Sequence, residues 1–375
     1  MESKTLHIVV FDVPFPANYG GVIDIYYKIR ALHHSGIKII LHCFVYGKRL
    51  PQSVELLKYC SKIFYYKRKQ TYNSFSFLPY IIYSRKNKQL LENLAQDNSP
   101  ILFEGLHTCA YLNHKELKHK KKFVRTHNIE HEYYRHLFLA EPNFFKKLYF
   151  LFESVLLAYF ERTLKNANYI FAITEKDTKY FYNKYKNALH LPVFSGNLWQ
   201  ENNTDLKSKK YALYHGKLSV AENNEAAAFL VQQVFSKLKH QLIIAGDNPS
   251  KQLIKLCQKI NNVKIVSVQN ETTIQDLIQK AHIHVLPTFQ QTGIKLKLLN
   301  ALYSKGFCIV NSNMVTGTKL EPVCNICNTS EEWIKAINDC MQKEITIEDL
   351  MLRKFILNDN FCDAQNIKIL TETVY

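Results

Sequence analysis

The 375-residue chain lacks several patterns that would have fixed its chemistry at once. It has no G-x-G-x-x-G, so nothing supports a dinucleotide fingerprint. It has no H-E-x-x-H, so the zincin arrangement is excluded, although His127 and His131 followed by Glu132 bring metal ligands to mind. Its one C-x-x-C, Cys324 and Cys327, has no second ligand pair at zinc spacing and reads as chance. The nine cysteines are odd in number and scattered, which argues against a disulfide framework and for a reducing compartment. No stretch reaches the roughly 18 uncharged apolar residues of a membrane span. The nearest, residues 144–160, is broken by Lys146, Lys147 and Glu153 and reads as a buried or interfacial helix. Met1-Glu2-Ser3-Lys4 runs straight into a strand-like segment, so no leader is expected. No known nucleic-acid-reading module is present either.

What the chain does have is length, a normal apolar content and a lopsided charge. At 375 residues and 47% hydrophobic it should form two domains, each with its own core. The formal net charge is +17. Residues 1–190 carry 29 Lys/Arg against 15 Asp/Glu, whereas residues 191–375 carry 20 against 17. Basic runs such as Lys67-Arg68-Lys69 and Lys118-His119-Lys120-Lys121-Lys122 mark the first half. Such a half should attract polyanions, of which nucleic acid, anionic lipid headgroups and a lipid-diphosphate substrate are candidates. The simpler alternative is a solvated basic face that aids solubility.

Strand and helix signals alternate almost throughout. Residues 6–12 (LHIVVFD) form a short β-branched-rich run ending at Pro14, and residues 22–34 have helical spacing that stops at Gly36. Further strands are predicted at 37–46, 62–66, 101–104, 123–126 and 169–174, with helices at about 84–96, 130–140, 145–166 and 175–186. Residues 195–210 are polar and aperiodic and read as a linker. The pattern then restarts, with strands at 211–215, 241–245, 263–268, 283–286 and 307–311. Helices are predicted near 222–238, 250–260, 273–281, 295–305 and 330–342, and the chain ends in helices near 346–357 and 363–373. Alternation of this kind implies parallel sheets with helices on both faces, and ligands outside the strand carboxyl ends. The expected organisation is α/β: a Rossmann-like domain over 1–195, a linker over 196–210, a second Rossmann-like domain over 211–350 and a helical segment over 351–375 returning toward the first domain. Two such doubly wound domains would face a central cleft.

Polar residues cluster at the predicted strand ends. Pro14-Phe15-Pro16 leads to Gly20 and Gly21 before a helix, where open backbone N–H groups suit an anion. Glu104 and His107 follow one strand; His127, Asn128 and Glu130 follow the next. In the second half, Gly216 and Lys217 follow the first strand and Gly246 the second. Gly293, Lys295, Lys297 and Asn300 surround a helix start, where two cations could cradle a diphosphate. Periodicity alone favours two solvated lysines on an amphipathic helix.

Together these motifs resemble the family 4 retaining glycosyltransferases of GT-B fold, especially bacterial members from polysaccharide loci. The family's P-x-P-x-x-x-G-G opening resembles Pro14, Pro16, Gly20 and Gly21; its HN-x-E resembles His127-Asn128-Ile129-Glu130. Its G-[KR]-[LM] turn with a later Asn resembles Gly216-Lys217-Leu218 and Asn224, and its G-x-K-x-K-x-x-E helix resembles Gly293, Lys295 and Lys297. The last position of that helix motif departs: Asn300 stands where the family's glutamate holds the donor ribose. An amide bonds a hydroxyl without charge, and charge-assisted bonds are roughly twice as strong. No D-x-D triplet occurs, which weakens the metal-dependent GT-A alternative.

The resemblance implies a retaining, metal-independent glycosyltransferase without a cofactor. It would move a hexose, with mannose favoured, from a nucleoside diphosphate sugar to a glycan or polyprenyl-diphosphate-linked acceptor in cell-surface polysaccharide synthesis. Lys217, Lys295 and Lys297 would meet the diphosphate, and Gly216, Gly246 and Gly293 would lie near the donor. His127 would bond a sugar hydroxyl or the departing phosphate, and Asn300 would face the ribose. Glu104, His107 and Glu130 would line the acceptor side or brace His127, and Gly20 and Gly21 would approach the diphosphate or acceptor. The expected location is the cytoplasm, with peripheral contact on the inner face of an anionic membrane and no nucleic acid partner. A GT-B nucleotide-sugar epimerase and a catalytically degenerate GT-B binding protein are the alternatives.

Overall fold

The computed structural model describes residues 4–17, 20–45, 54–70, 77–141, 143–196, 209–267, 271–289 and 296–375. The chain divides into two compact units: Met1–Phe194 with Phe361–Tyr375, and Ser195–Asn360.

The first unit is built on seven strands: β1 (Thr5–Val10), β2 (Lys38–Val45), β3 (Lys62–Lys67), β4 (Ile101–Glu104), β5 (Lys122–Thr126), β6 (Tyr169–Ala172) and β7 (Ala188–His190). They pair in the order β3-β2-β1-β4-β5-β6-β7, every pair parallel. Parallel strands need both faces covered, and β4 is buried at all four positions. The side-chain period of two divides the core accordingly. Val9, Phe44 and Phe103 join the cluster on one face, while Ile8, Leu41 and Leu102 join the one on the other.

The second unit repeats the plan with β8 (Lys209–His215), β9 (Leu242–Ala245), β10 (Val263–Val266), β11 (Ala281–Leu286), β12 (Phe307–Val310) and β13 (Asn325–Ile326). Its order is β10-β9-β8-β11-β12-β13, again parallel throughout. In each sheet the chain builds outward on one side of its first strand, then returns to build on the other. The reversal falls between β1 and β4 and between β8 and β11, and open α/β sheets bind ligands at such a switch point.

The C-terminal helix Asp363–Val374 packs on the first unit. Leu370 and Val374 enter its core, and Asn366 donates to the Val193 carbonyl at 3.3 Å.

Several elements differ from expectation. The helix predicted over 222–238 is α-helical only at Ala221–Phe229, then passes through a π turn at Leu230–Val234 and a 3-10 turn at Phe235–Lys237. The helix predicted from about 84 starts at Lys88, where Asn87 caps it by accepting from the Gln89 amide at 2.9 Å. Strands β7 and β13 were not expected; three and two residues are too few to show a period. The expected linker falls largely on residues 197–208, outside the described residues, and β8 already begins at Lys209.

Candidate functional site

In the first unit the carboxyl ends of β1, β4 and β5 lie side by side. Glu104 ends β4, and His127 follows β5 directly. The helix Gly20–His34 supplies two more charges, Asp24 and Lys28, one turn apart on its buried side, and opens with the Gly20-Gly21 pair. The side chains of Asp24, Lys28, Glu104 and Arg125 are at most 1% exposed, and His127 is 11% exposed.

These groups form one chain of contacts. Arg125 grips Asp24 with two bonds, Nη2 to Oδ1 at 3.0 Å and Nε to Oδ2 at 3.1 Å, and also donates to the carbonyls of Leu191 and Pro192. Lys28 Nζ donates to Asp24 Oδ2 at 2.9 Å and to Glu104 Oε1 at 2.7 Å. Glu104 Oε2 lies 3.2 Å from His127 Nε2. The backbone N–H of Phe194 donates to Asp24 Oδ1 at 2.8 Å. Two buried carboxylates thus face two buried cations, which is the condition under which charges survive away from water.

The electrostatics follow from that balance. Burial pushes Asp24 and Glu104 upward, but the cations outweigh it. Arg125 and Lys28 hold Asp24 far below the ordinary carboxylate range, and Lys28 with His127 holds Glu104 below it. An ionised Glu104 can only accept, so His127 Nε2 carries the hydrogen of their bond. That fixes the ring's orientation and leaves Nδ1 as its remaining polar atom. Phe11, just past β1, braces the ring edge-on at 5.6 Å and meets the His107 ring at 5.2 Å.

His107 and Glu130 form a second, neutral pair. Burial pushes Glu130 up to about 8, the Glu161 charge adding and Arg85 opposing. Burial holds His107 well below its ordinary value, helped by Arg85 and His127. Glu130 is therefore protonated and His107 uncharged near neutrality. His107 Nδ1 stands 3.9 Å from Glu130 Oε1, beyond hydrogen-bond reach. Gly105 has φ +73°, and a Cβ there would sit 2.8 Å from His107 Nδ1, so this turn needs glycine on both counts.

In the second unit the ends of β8 and β9 approach closely. A Cβ on Gly246 would lie 2.1 Å from the Gly216 carbonyl oxygen. Asn223 Nδ2 donates to the Lys217 carbonyl at 2.9 Å, and Asn224 donates to the Leu218 carbonyl, so both amides hold the turn that carries Lys217. The Lys217 residue itself is exposed. Lys297 lies in the first turn of the helix Leu296–Leu302; its Nζ donates to Asn223 Oδ1 at 3.1 Å and sits 5.1 Å from the Tyr214 ring centroid. Lys297 thus braces the same turn. Burial, then the Lys297 charge, lowers His215 to about 3, so it is neutral. Asn300 is half-buried on the same helix as Lys297. Gly293 and Lys295 lie outside the described residues.

Asp24, Glu104 and His127 place ligand atoms within 4.8 Å of one another, close enough to consider a metal. The Lys28 ammonium donates to both carboxylates, however, and so already fills the cationic role among them. The donor set does not fit a metal without displacing that lysine.

Sequence reasoning found Glu104, His107, His127 and Glu130 from their places at strand ends. It missed Asp24 and Lys28, which pass for one exposed i,i+4 pair; the signal was their setting in an otherwise apolar run, residues 22–29.

No family model matches the sequence. The chain is 24% identical over 332 residues, 83% of its length and 84% of the relative's, to an uncharacterized 44.6 kDa protein in the cps region of Klebsiella pneumoniae. Among solved structures it resembles Anabaena HepE, crystallised with UDP and glucose, at 11% identity over 99% of each chain with a TM-score of 0.67. It resembles a glycosyltransferase from Rickettsia africae at 16% identity, covering 100% of this chain and 98% of that one, with a TM-score of 0.65. Staphylococcus aureus TarM, solved with UDP, fondaparinux and α-GlcNAc-glycerol, gives 11% identity over 99% of each chain and a TM-score of 0.67. These likenesses define the class by architecture: two parallel-sheet α/β domains of GT-B fold, as expected from the sequence.

Proposed function

We propose that the protein is a glycosyltransferase that moves a hexose from a nucleoside diphosphate sugar to a glycan or lipid-linked oligosaccharide. The observation that carries this reading is the His127–Glu104 pair at the switch point of a GT-B sheet, locked by buried Lys28, Asp24 and Arg125. A histidine so oriented accepts from a sugar hydroxyl at Nδ1 when the ring is neutral, and donates to the departing phosphate once Nδ1 is also protonated, where a preorganised donor is worth most. The second unit supplies the donor site. Lys217 and Lys295 meet the diphosphate, Lys297 stiffens the turn that presents Lys217, and Asn300 takes the ribose. Glycines at 216, 246 and 293 let the backbone come close to the nucleotide. Leaving-group charge is met by these cations without a metal, and configuration is retained, as the family resemblance implies. His107 and Glu130 line the acceptor side, where a neutral pair suits sugar hydroxyls. Gly20 and Gly21 open the helix toward it.

Solved GT-B neighbours that hold UDP support a nucleotide-sugar donor. The cps-region relative supports work on polysaccharide. Mannose is what the family resemblance slightly favours, and the anionic-membrane setting comes from the basic charge of the first half. A second reading, a binding protein without turnover, is favoured by Asn300 and by the missing upstream acid of the family motif, where Gln290, Gln291 and Thr292 stand.

The test is calorimetric titration with UDP- and GDP-hexoses. Saturable binding of at least one donor is expected, weakened at least about tenfold in Lys295→Ala, roughly 1.4 kcal/mol. Failure to bind any sugar nucleotide would overturn the proposal, and binding without release of nucleotide in the presence of acceptor would favour the second reading.

A further inference from the structure

Helix Phe144–Phe160 is apolar on two faces. One packs on the domain through Leu157 and Phe160, with Glu153 and Ser154 beside them. The other carries Phe145, Leu148, Phe152, Val155 and Tyr159, spaced by three and four residues into one stripe, and these are 81%, 47%, 55%, 62% and 67% exposed. Scattered apolar side chains on a surface need no explanation, but a continuous stripe of this kind does. A helix apolar all round is ordinarily buried or in lipid.

We infer that this outer face docks on an anionic lipid bilayer, lying in its interface. Charge decides the occupant. Lys146 and Lys147 flank the stripe at its start, and Arg162 and Lys165 follow its end. Lys147 sits 5.1 Å from the half-buried Phe138 ring and Arg162 5.3 Å from the exposed Tyr159 ring, so cations and rings share one surface. Residues 1–190 carry 29 basic against 15 acidic side chains. A second copy would bring the same positive charge to the contact and be repelled, whereas anionic headgroups complement it. Phenylalanine and tyrosine beside lysine and arginine is the composition of an interfacial helix. No described helix is long and apolar enough to cross a membrane, so the stripe lies on the bilayer without spanning it.

The inference deepens the proposed function, resting on it for the purpose of docking: a lipid-linked acceptor would be met at the surface where it resides. Binding itself is measured without donor or acceptor. The full chain is sedimented with phosphatidylcholine vesicles and with vesicles that also contain phosphatidylglycerol. Wild type is expected to pellet with the mixed vesicles and far less with phosphatidylcholine alone. F145S/F152S should weaken partition at least about tenfold. K146Q/K147Q, which leaves the rings in place, should weaken it less, and high salt should erase the difference. All four side chains lie outside the core, so melting curves should match wild type. Wild type remaining in the supernatant with the mixed vesicles would overturn the proposal. So would equal partition of wild type and F145S/F152S, or a dimer that F145S/F152S dissociates. Vesicle binding and nucleotide release fail independently: lost docking with intact turnover sinks only this surface, and the reverse sinks only the transferase reading.

Discussion

Glu104 carries two duties with one carboxylate: one oxygen takes the Lys28 ammonium and the other orients His127. Glu104→Gln keeps the shape but removes the charge, leaving Lys28 buried with one anionic partner. Breaking a buried pair this way costs about 3–5 kcal/mol. Urea unfolding should report a loss of that order, and a Lys28→Met/Glu104→Leu double variant should lose less than the sum of its singles, because the pair acts as a unit. Glu130 gives a pH signature. Its folded value of about 8 exceeds the ordinary 4.5, so the unfolded chain releases this proton first as pH rises. Stability contributed by the protonated group is therefore lost between about pH 4.5 and 8. Glu130→Gln should gain on wild type across that window, by on the order of a few kcal/mol at pH 9 compared with pH 5. A difference in melting temperature that is flat with pH would contradict the assignment. The carboxylates and histidines at strand ends were legible in the sequence because position alone marks them. The partners that set their charge were not, since 76 residues separate Lys28 from Glu104 and 101 separate Asp24 from Arg125.

At the scale of elements, turns are where single atoms decide packing. A methyl at Gly246 would stand 2.1 Å from a backbone oxygen that has no side chain to rotate away. Gly246→Ala should cost roughly 1–3 kcal/mol and shift the turn that carries Lys217. The check is a lower urea midpoint together with weaker donor binding; an unchanged midpoint would place β8 and β9 farther apart. The last helix is testable by removal. Leu370 and Val374 are buried in the first unit's core, and burying each is worth about 1.5–3 kcal/mol. A chain ending at residue 361 should show earlier proteolysis within 1–194 than full-length protein under the same conditions. Strand and helix order was readable from periodicity, because long apolar runs separated by polar turns admit few alternatives. The π turn at Leu230–Val234 was not, since it keeps the apolar pattern of an α-helix and changes only the hydrogen-bond spacing.

For the whole molecule, two parallel sheets that share the order of their first six strands explain why alternating signals pointed to two doubly wound domains, while the GT-B expectation came from the family resemblance. Chemistry is harder to read than architecture, because one fold serves many reactions and the site alone distinguishes them. The account rests on His127 acting on a nucleotide sugar while its buried partners hold it in place. Steady-state nucleotide release from a panel of UDP- and GDP-hexoses with acceptor-bearing lipid extract, wild type beside His127→Ala, tests this most directly. The account predicts turnover with at least one donor and a fall of about 100-fold or more in kcat for the variant, which still unfolds cooperatively but at a somewhat lower melting temperature because buried Glu104 loses one partner. Equal kcat in the two proteins would contradict it.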